Sequence, residues 1–223
     1  MGLRLCLFGD RSREAPLRTA VTRRAAVGLV FWCIASFVVV GALAASREQI
    51  EFEGASQPLV PGDRIQGLLA KPDGAGPFPA VIGLHGCAGM QETTKSKLAD
   101  DLVASGYVTL LVDSFATRGI DHACTYSAAM AIVLRRMSDA YGALAFLARQ
   151  SFVDIRRVAA VGFSQGGWVT LSVAETRSFE SFVVPSELRF RAAVAFYPLC
   201  SAAGSRPGIP CTEIILSHTT ART

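Results

Sequence analysis

The residues best suited to do chemistry are Gly162-Phe163-Ser164-Gln165-Gly166, which close the apolar run Val158-Ala-Ala-Val161 and open onto helix-forming sequence. That spacing describes a nucleophile elbow. A strand entering a helix through so tight a turn strains its central residue, and glycines two positions either side leave room where a side chain would collide. The turn lifts the Ser164 hydroxyl clear of a sheet and sets it at a helix N-terminus, where backbone N–H groups face a developing negative charge. The chemistry is acyl transfer through serine. It needs a histidine base, an acid to orient that histidine, and N–H donors for the oxyanion. The N–H of Gln165 is one donor. The second is expected from the small residues of His85-Gly86-Cys87-Ala88-Gly89, at Cys87, with Gly86 as the alternative. The competing reading of both motifs is an ordinary strand–turn–helix junction.

Such a serine has to be positioned by a sheet, and the chain alternates the right patterns. Gln49 to Phe52 and Arg64 to Ala70 read as two strands of a hairpin around Pro61-Gly62-Asp63. Pro79 to His85 and Tyr107 to Asp113 are continuous apolar runs, as in strands buried on both faces. Between them Thr93 to Ser105 is a helix stopped by Gly106. Ser127 to Arg149 is a long helix, with Leu134, Met137, Tyr141 and Leu144 on its buried side and Arg135 paired to Asp139 outside. Arg157 to Val161 is the elbow strand and Trp168 to Ala174 the elbow helix. Arg191 to Tyr197 is a strand, Pro198 to Pro210 a loop, and Glu213 to Leu216 opens one more strand. This alternation predicts an α/β fold with a mostly parallel sheet flanked by helices, in one domain over 46–223. Sites in such sheets lie at the carboxyl ends of the strands, where His85 to Cys87, Asp113 to Arg118 and Ser164 fall.

Residues 1–45 are of another kind. No charge interrupts Ala25 to Ala45, six arginines precede that run, and Ala42-Leu43-Ala44 follows as a small-residue cleavage signal. This is the layout of a secretory signal peptide, cleaved after Ala44, with an uncleaved inner-membrane anchor as the alternative. Thr22-Arg23-Arg24 leaves the export route open. The protein is therefore expected outside the cytoplasm, periplasmic or secreted. The leader also accounts for the net charge of +4, since 15 basic and 15 acidic residues follow Glu48. A neutral folded part without a basic patch argues against a nucleic-acid partner. Four cysteines lie beyond the leader, enough for two disulfides in an oxidising compartment, and Cys200 with Cys211 is the favoured pair. Four free thiols are the alternative. The spacings match no zinc site.

The ordered set Pro77-Phe-Pro-Ala-Val81, Leu84-His-Gly-Cys87, Asp113-Ser-Phe115 with Arg118-Gly119, Asp139-Ala140 and Gly162 to Gly167 resembles the dienelactone hydrolase family of α/β-hydrolases. The resemblance runs from about Ile50 to Pro198. It implies an α/β-hydrolase fold and cleavage of a small-molecule ester or lactone without cofactor. It also implies that Arg118 helps to hold a substrate carboxylate, the alternative being a surface arginine. The family's namesake enzymes carry cysteine at the nucleophile, where this chain has Ser164.

The fold's triad runs in the order serine, acid, histidine. After Ser164 the sequence has no aspartate; its acids are Glu175, Glu180, Glu187 and Glu213, and its only later histidine is His218. His85 and His122 precede the serine. The expectation is a chain cut short before its last strand, helix, acid and base, hence poorly soluble alone and nearly inactive on p-nitrophenyl acetate. A remnant or binding protein that keeps the fold without the triad is the competing class.

Overall fold

Apolar residues spaced for strands and helices fold into one seven-stranded sheet. A computed structural model describes residues 46–175, 180–198 and 213–217. The expected leader and its cleavage site, the Cys200–Cys211 pair and His218 lie outside the described residues. In chain order the elements are β1 (Ser46–Glu53), β2 (Arg64–Lys71), β3 (Phe78–Leu84), α1 (Glu92–Ala104) and β4 (Val108–Asp113). After them come α2 (Tyr126–Leu147), β5 (Val153–Phe163), α3 (Gln165–Ala174), β6 (Ala192–Phe196) and β7 (Glu213–Ser217).

The strand order is β1-β2-β4-β3-β5-β6-β7. The central strands β4, β3, β5 and β6 are parallel to one another, with Ile82 opposite Leu110 on one side and Ala160 on the other. β1 pairs antiparallel with β2, and β2 with β4. The hairpin and the parallel core therefore match the expectation. β7 closes the other side antiparallel to β6, with Val194 opposite Ile215. The sheet is parallel where helical crossovers link its strands and antiparallel at both flanks.

The two faces of the sheet sort alternate residues, as the two-residue strand period demands. From β4, Leu110 and Val112 enter the main core with Tyr141, Leu144 and Leu147 of α2 and Trp168 and Val169 of α3. Leu111 turns the other way, against Ala99 and Val103 of α1. β3 is buried almost throughout because it lies between two parallel neighbours and under helices on both sides. α1 ends in a Schellman pair of hydrogen bonds, from Gly106 N–H to the Val103 carbonyl and from Tyr107 N–H to that of Leu102. The Thr125 hydroxyl caps α2 by accepting from the Ala128 N–H at 3.2 Å.

Two details of α2 correct the sequence reading. Leu134 stands 56% exposed, so it is not on the buried side. Asp139 is fully buried and Arg135 pairs instead with Asp63, because Arg118 from the loop after β4 reaches under the helix and takes the Asp139 carboxylate.

Candidate active site

Ser164 sits between the end of β5 and the start of α3 with φ 53° and ψ −115°. A β-carbon on Gly162 would lie 2.1 Å from the Gly166 carbonyl oxygen, and one on Gly166 would lie 2.2 Å from that of Leu84. The turn can close only with glycine at both positions. The Ser164 N–H donates to the Phe196 carbonyl at 2.9 Å, which fastens the turn to β6. The Phe163 ring stacks on Phe196 with centroids 5.1 Å apart. A cavity of about 320 Å³ opens over the serine, lined by His85, Gly86, Cys87, Phe163, Ser164 and Tyr197 among others. A larger hollow of about 570 Å³ lies beside β1 and does not reach Ser164.

The β3 loop and the elbow thus meet at one cavity, because β3 and β5 are parallel neighbours whose carboxyl ends coincide. Among the described residues, the N–H groups of Cys87 and Gln165 meet no protein acceptor. Gln165 is the first residue of α3, where such orphan donors and the helix dipole favour an anion. The Cys87 thiol is not free: it forms a disulfide with Cys124, in the loop before α2. The sequence reading had not paired these two cysteines. The signal was available, since Cys87 follows β3 and Cys124 lies between β4 and α2, and the carboxyl ends of β3 and β4 are adjacent.

His85 is buried at 3% exposure, and its ring is fully committed. The Ser114 N–H donates to its Nε2 at 3.2 Å, so the ring proton resides on Nδ1, which donates to the Gly86 carbonyl at 2.7 Å. Burial and the neighbouring Arg136 charge push its pKa down to about 3. His85 is a neutral structural imidazole whose lone pair is taken, and it cannot serve as the base. His122 lies on the exposed loop that carries Cys124.

Arg118 is where the structure departs furthest from the resemblance. Its side chain is 4% exposed, and all five of its N–H groups are spent inside the protein. It grips Asp139 through two bonds of 2.7 and 2.8 Å. It also donates to Asp63 Oδ2 from Nε at 3.0 Å and from a terminal nitrogen at 2.5 Å, and to the Ser114 carbonyl at 2.6 Å. No donor is left for a substrate carboxylate, so Arg118 braces the loop after β4 instead. Burial alone would lower its pKa, but the two carboxylates outweigh that and hold it above the ordinary value.

Sequence reasoning also missed Arg136, which is fully buried on α2 behind the cavity. It donates to the Gln165 side-chain oxygen at 2.6 Å and to the His85 carbonyl at 2.5 Å. Its guanidinium lies 5.3 Å from the centre of the Phe115 ring. Nothing in the helical pattern marked it, because a cation on a long surface helix ordinarily points to water.

The model of the dienelactone hydrolase family matches residues 65–221. The chain belongs to that family. No curated protein matches it at a significant level. Among solved structures it is similar to a candidate dienelactone hydrolase from Klebsiella pneumoniae, with 22% identity and a TM-score of 0.46 over 58% of this chain and 55% of that one. It is also similar to a dienelactone hydrolase-like promiscuous phosphotriesterase from metagenomic libraries, with 21% identity and a TM-score of 0.47 over 59% of this chain and 56% of that one. The chain therefore spans little more than half the length of these dienelactone hydrolase-like structures. Among the described residues no helix is long and apolar enough to cross a membrane.

Proposed function

We propose that this member of the dienelactone hydrolase family cleaves a small-molecule ester or lactone through an acyl intermediate on Ser164, with the Cys87 and Gln165 N–H groups receiving the oxyanion. The observation that carries the reading is the left-handed, strained Ser164 at a strand–helix turn, facing a cavity also lined by Cys87, with the Cys87 and Gln165 N–H groups lacking acceptors among the described residues. Attack by the hydroxyl moves its proton to a base and converts the substrate carbonyl into a tetrahedral oxyanion; collapse expels the alcohol and leaves the acyl-serine, which water then hydrolyses. Burial and the loss of its lone pair remove His85 from the candidates for that base. His122 and His218 are the other histidines of this sequence.

Reactivity and turnover are separable in this account, because the elbow and the donors serve acylation whereas release also needs the base. Hydrolysis of p-nitrophenyl acetate and of a simple aryl lactone by the full chain, its Ser164→Ala variant and the two variants His122→Ala and His218→Ala tests it. Weak product release abolished by Ser164→Ala is the expected result, and a histidine change that cuts it further identifies a base within this sequence. Release unchanged by Ser164→Ala contradicts the reading and favours a fold kept without its nucleophile. The proposed setting is the periplasm or the extracellular space, consistent with a disulfide beside the site. N-terminal sequencing of the mature protein checks it.

A further inference from the structure

A buried guanidinium normally faces a carboxylate, and Arg136 does not. Among the described residues it donates to the neutral Gln165 side-chain oxygen and the His85 carbonyl, lies 3.5 Å from His85 Nδ1, and has the Phe115 ring beside it. The nearby Asp139 is already held by both terminal nitrogens of Arg118. The Arg136 partners are not arbitrary. Gln165 carries one expected oxyanion donor, and His85 stands two residues before the other, Cys87.

The contacts continue around a closed circuit. The Gln165 side-chain Nε2–H donates to the Ala123 carbonyl at 3.3 Å, and the Ala123 N–H donates to the Cys87 carbonyl at 2.8 Å. The adjoining Cys124 is bonded to Cys87. Arg136, Gln165, Ala123, Cys87 and His85 therefore form one loop of bonds that passes through both donor-bearing residues. A change at Arg136 is transmitted to both at once. Low-dielectric surroundings also leave its charge poorly screened toward an anion that forms in front of the same residues.

We propose that Arg136 is a positioning residue of the oxyanion site, holding the Gln165 and Cys87 amides at their working separation while its charge, engaged in no direct salt bridge among the described residues, favours a tetrahedral anion between them. The proposal rests on the reading of Ser164 as nucleophile for its chemical part and on geometry alone for its positioning part. It predicts that loss of Arg136 slows capture of a fluorophosphonate by Ser164 about ten- to a hundredfold, less than the loss of a whole oxyanion donor. It further predicts that hydrogen exchange of the buried Ala123 amide accelerates at least about tenfold, while that of Ile82 in β3 keeps its protection.

The test compares the full chain with Arg136→Met, Arg136→Lys and Gln165→Met, the last of which keeps the backbone N–H but cuts the circuit. The expected result is fast local exchange at Ala123 and slow labelling in Arg136→Met and Gln165→Met, with partial recovery of both in Arg136→Lys. Wild-type exchange at Ala123 in the folded variants overturns the positioning claim. Wild-type labelling rates in the same variants overturn the electrostatic one. If Arg136→Met does not fold, Gln165→Met gives the same two readouts. If the unmodified chain takes no label at Ser164, the nucleophile reading and the electrostatic claim fall together, and the Ala123 exchange still decides whether Arg136 positions the donors.

Discussion

Arg118, which reaches under α2, and Arg136, which α2 carries, are both buried arginines, and they sit in opposite electrical settings. Arg118 faces two carboxylates and spends every donor on them and on one carbonyl. Among the described residues Arg136 hydrogen-bonds to neutral acceptors beside an aromatic ring, with Asp139 and Asp113 acting on it through space, and burial brings its pKa down to about 10. A paired cation stabilises structure and contributes little field beyond its partner. An unpaired one costs more to bury and keeps its field. The contrast separates a brace from an element of the site, although the family resemblance had pointed to Arg118.

The largest expected effect breaks the brace. Arg118→Met leaves the buried Asp139 carboxyl without its cation, a loss of about 3–5 kcal/mol measured by urea unfolding. Arg136→Met is expected to cost less, because removing an unpaired buried charge offsets the two acceptors it strands. Equal losses at the two positions would erase the distinction.

Cys124→Ser opens the link between the oxyanion loop and the loop before α2. The disulfide closes a span of 37 residues, so its loss should lower stability by at most about 4 kcal/mol on the chain-entropy estimate. Free-thiol alkylation followed by thermal unfolding reads it. A pairing of Cys87 with any other cysteine contradicts the circuit around Arg136.

His85 sharpens the comparison through pH. Its folded pKa of about 3 lies below the ordinary 6.5, so the unfolded chain binds the extra proton between those values. Stability is therefore greatest above about pH 6.5 and falls on acidification toward pH 3, by a few kcal/mol at most. His85→Gln should flatten this slope in urea titrations at pH 4 and 7. An unchanged slope would mean that another group carries it.

The smallest effect is at Asp63, which bridges Arg118 and the exposed Arg135. The bond from Arg135 comes first among the causes that bring its pKa down to about 2, with Arg118 adding to it. Its contribution is complete above about pH 3.8 and is lost as pH falls toward 2. Asp63→Asn should cost about 1 kcal/mol or less at neutral pH, since water screens this partly exposed carboxylate.

The fold was legible because its signals are local. Two-residue and helical periods, with Gly and Pro at the turns, marked β1 to β7 and all three helices, and G-x-S-x-G marked the elbow through a steric need that only glycine meets. The buried circuit behind the elbow was not legible, because it joins residues from four separate segments. Neither Arg136 on α2 nor Ala123 in its loop has a neighbour in sequence that reveals it. The paired cysteines failed for a related reason: Cys87 and Cys124 are 37 residues apart and meet only because β3 and β4 lie side by side. Arg118 misled because a resemblance transfers a residue's type and position, whereas its role depends on which acceptors reach it first.

The central claim is that Ser164 is presented for acyl transfer, and the mass of the intact, folded chain after exposure to a fluorophosphonate tests it most directly. The account predicts one phosphonyl adduct, mapped to the peptide containing Ser164 and absent from Ser164→Ala. A folded chain that takes no adduct, or one whose adduct survives Ser164→Ala, contradicts it.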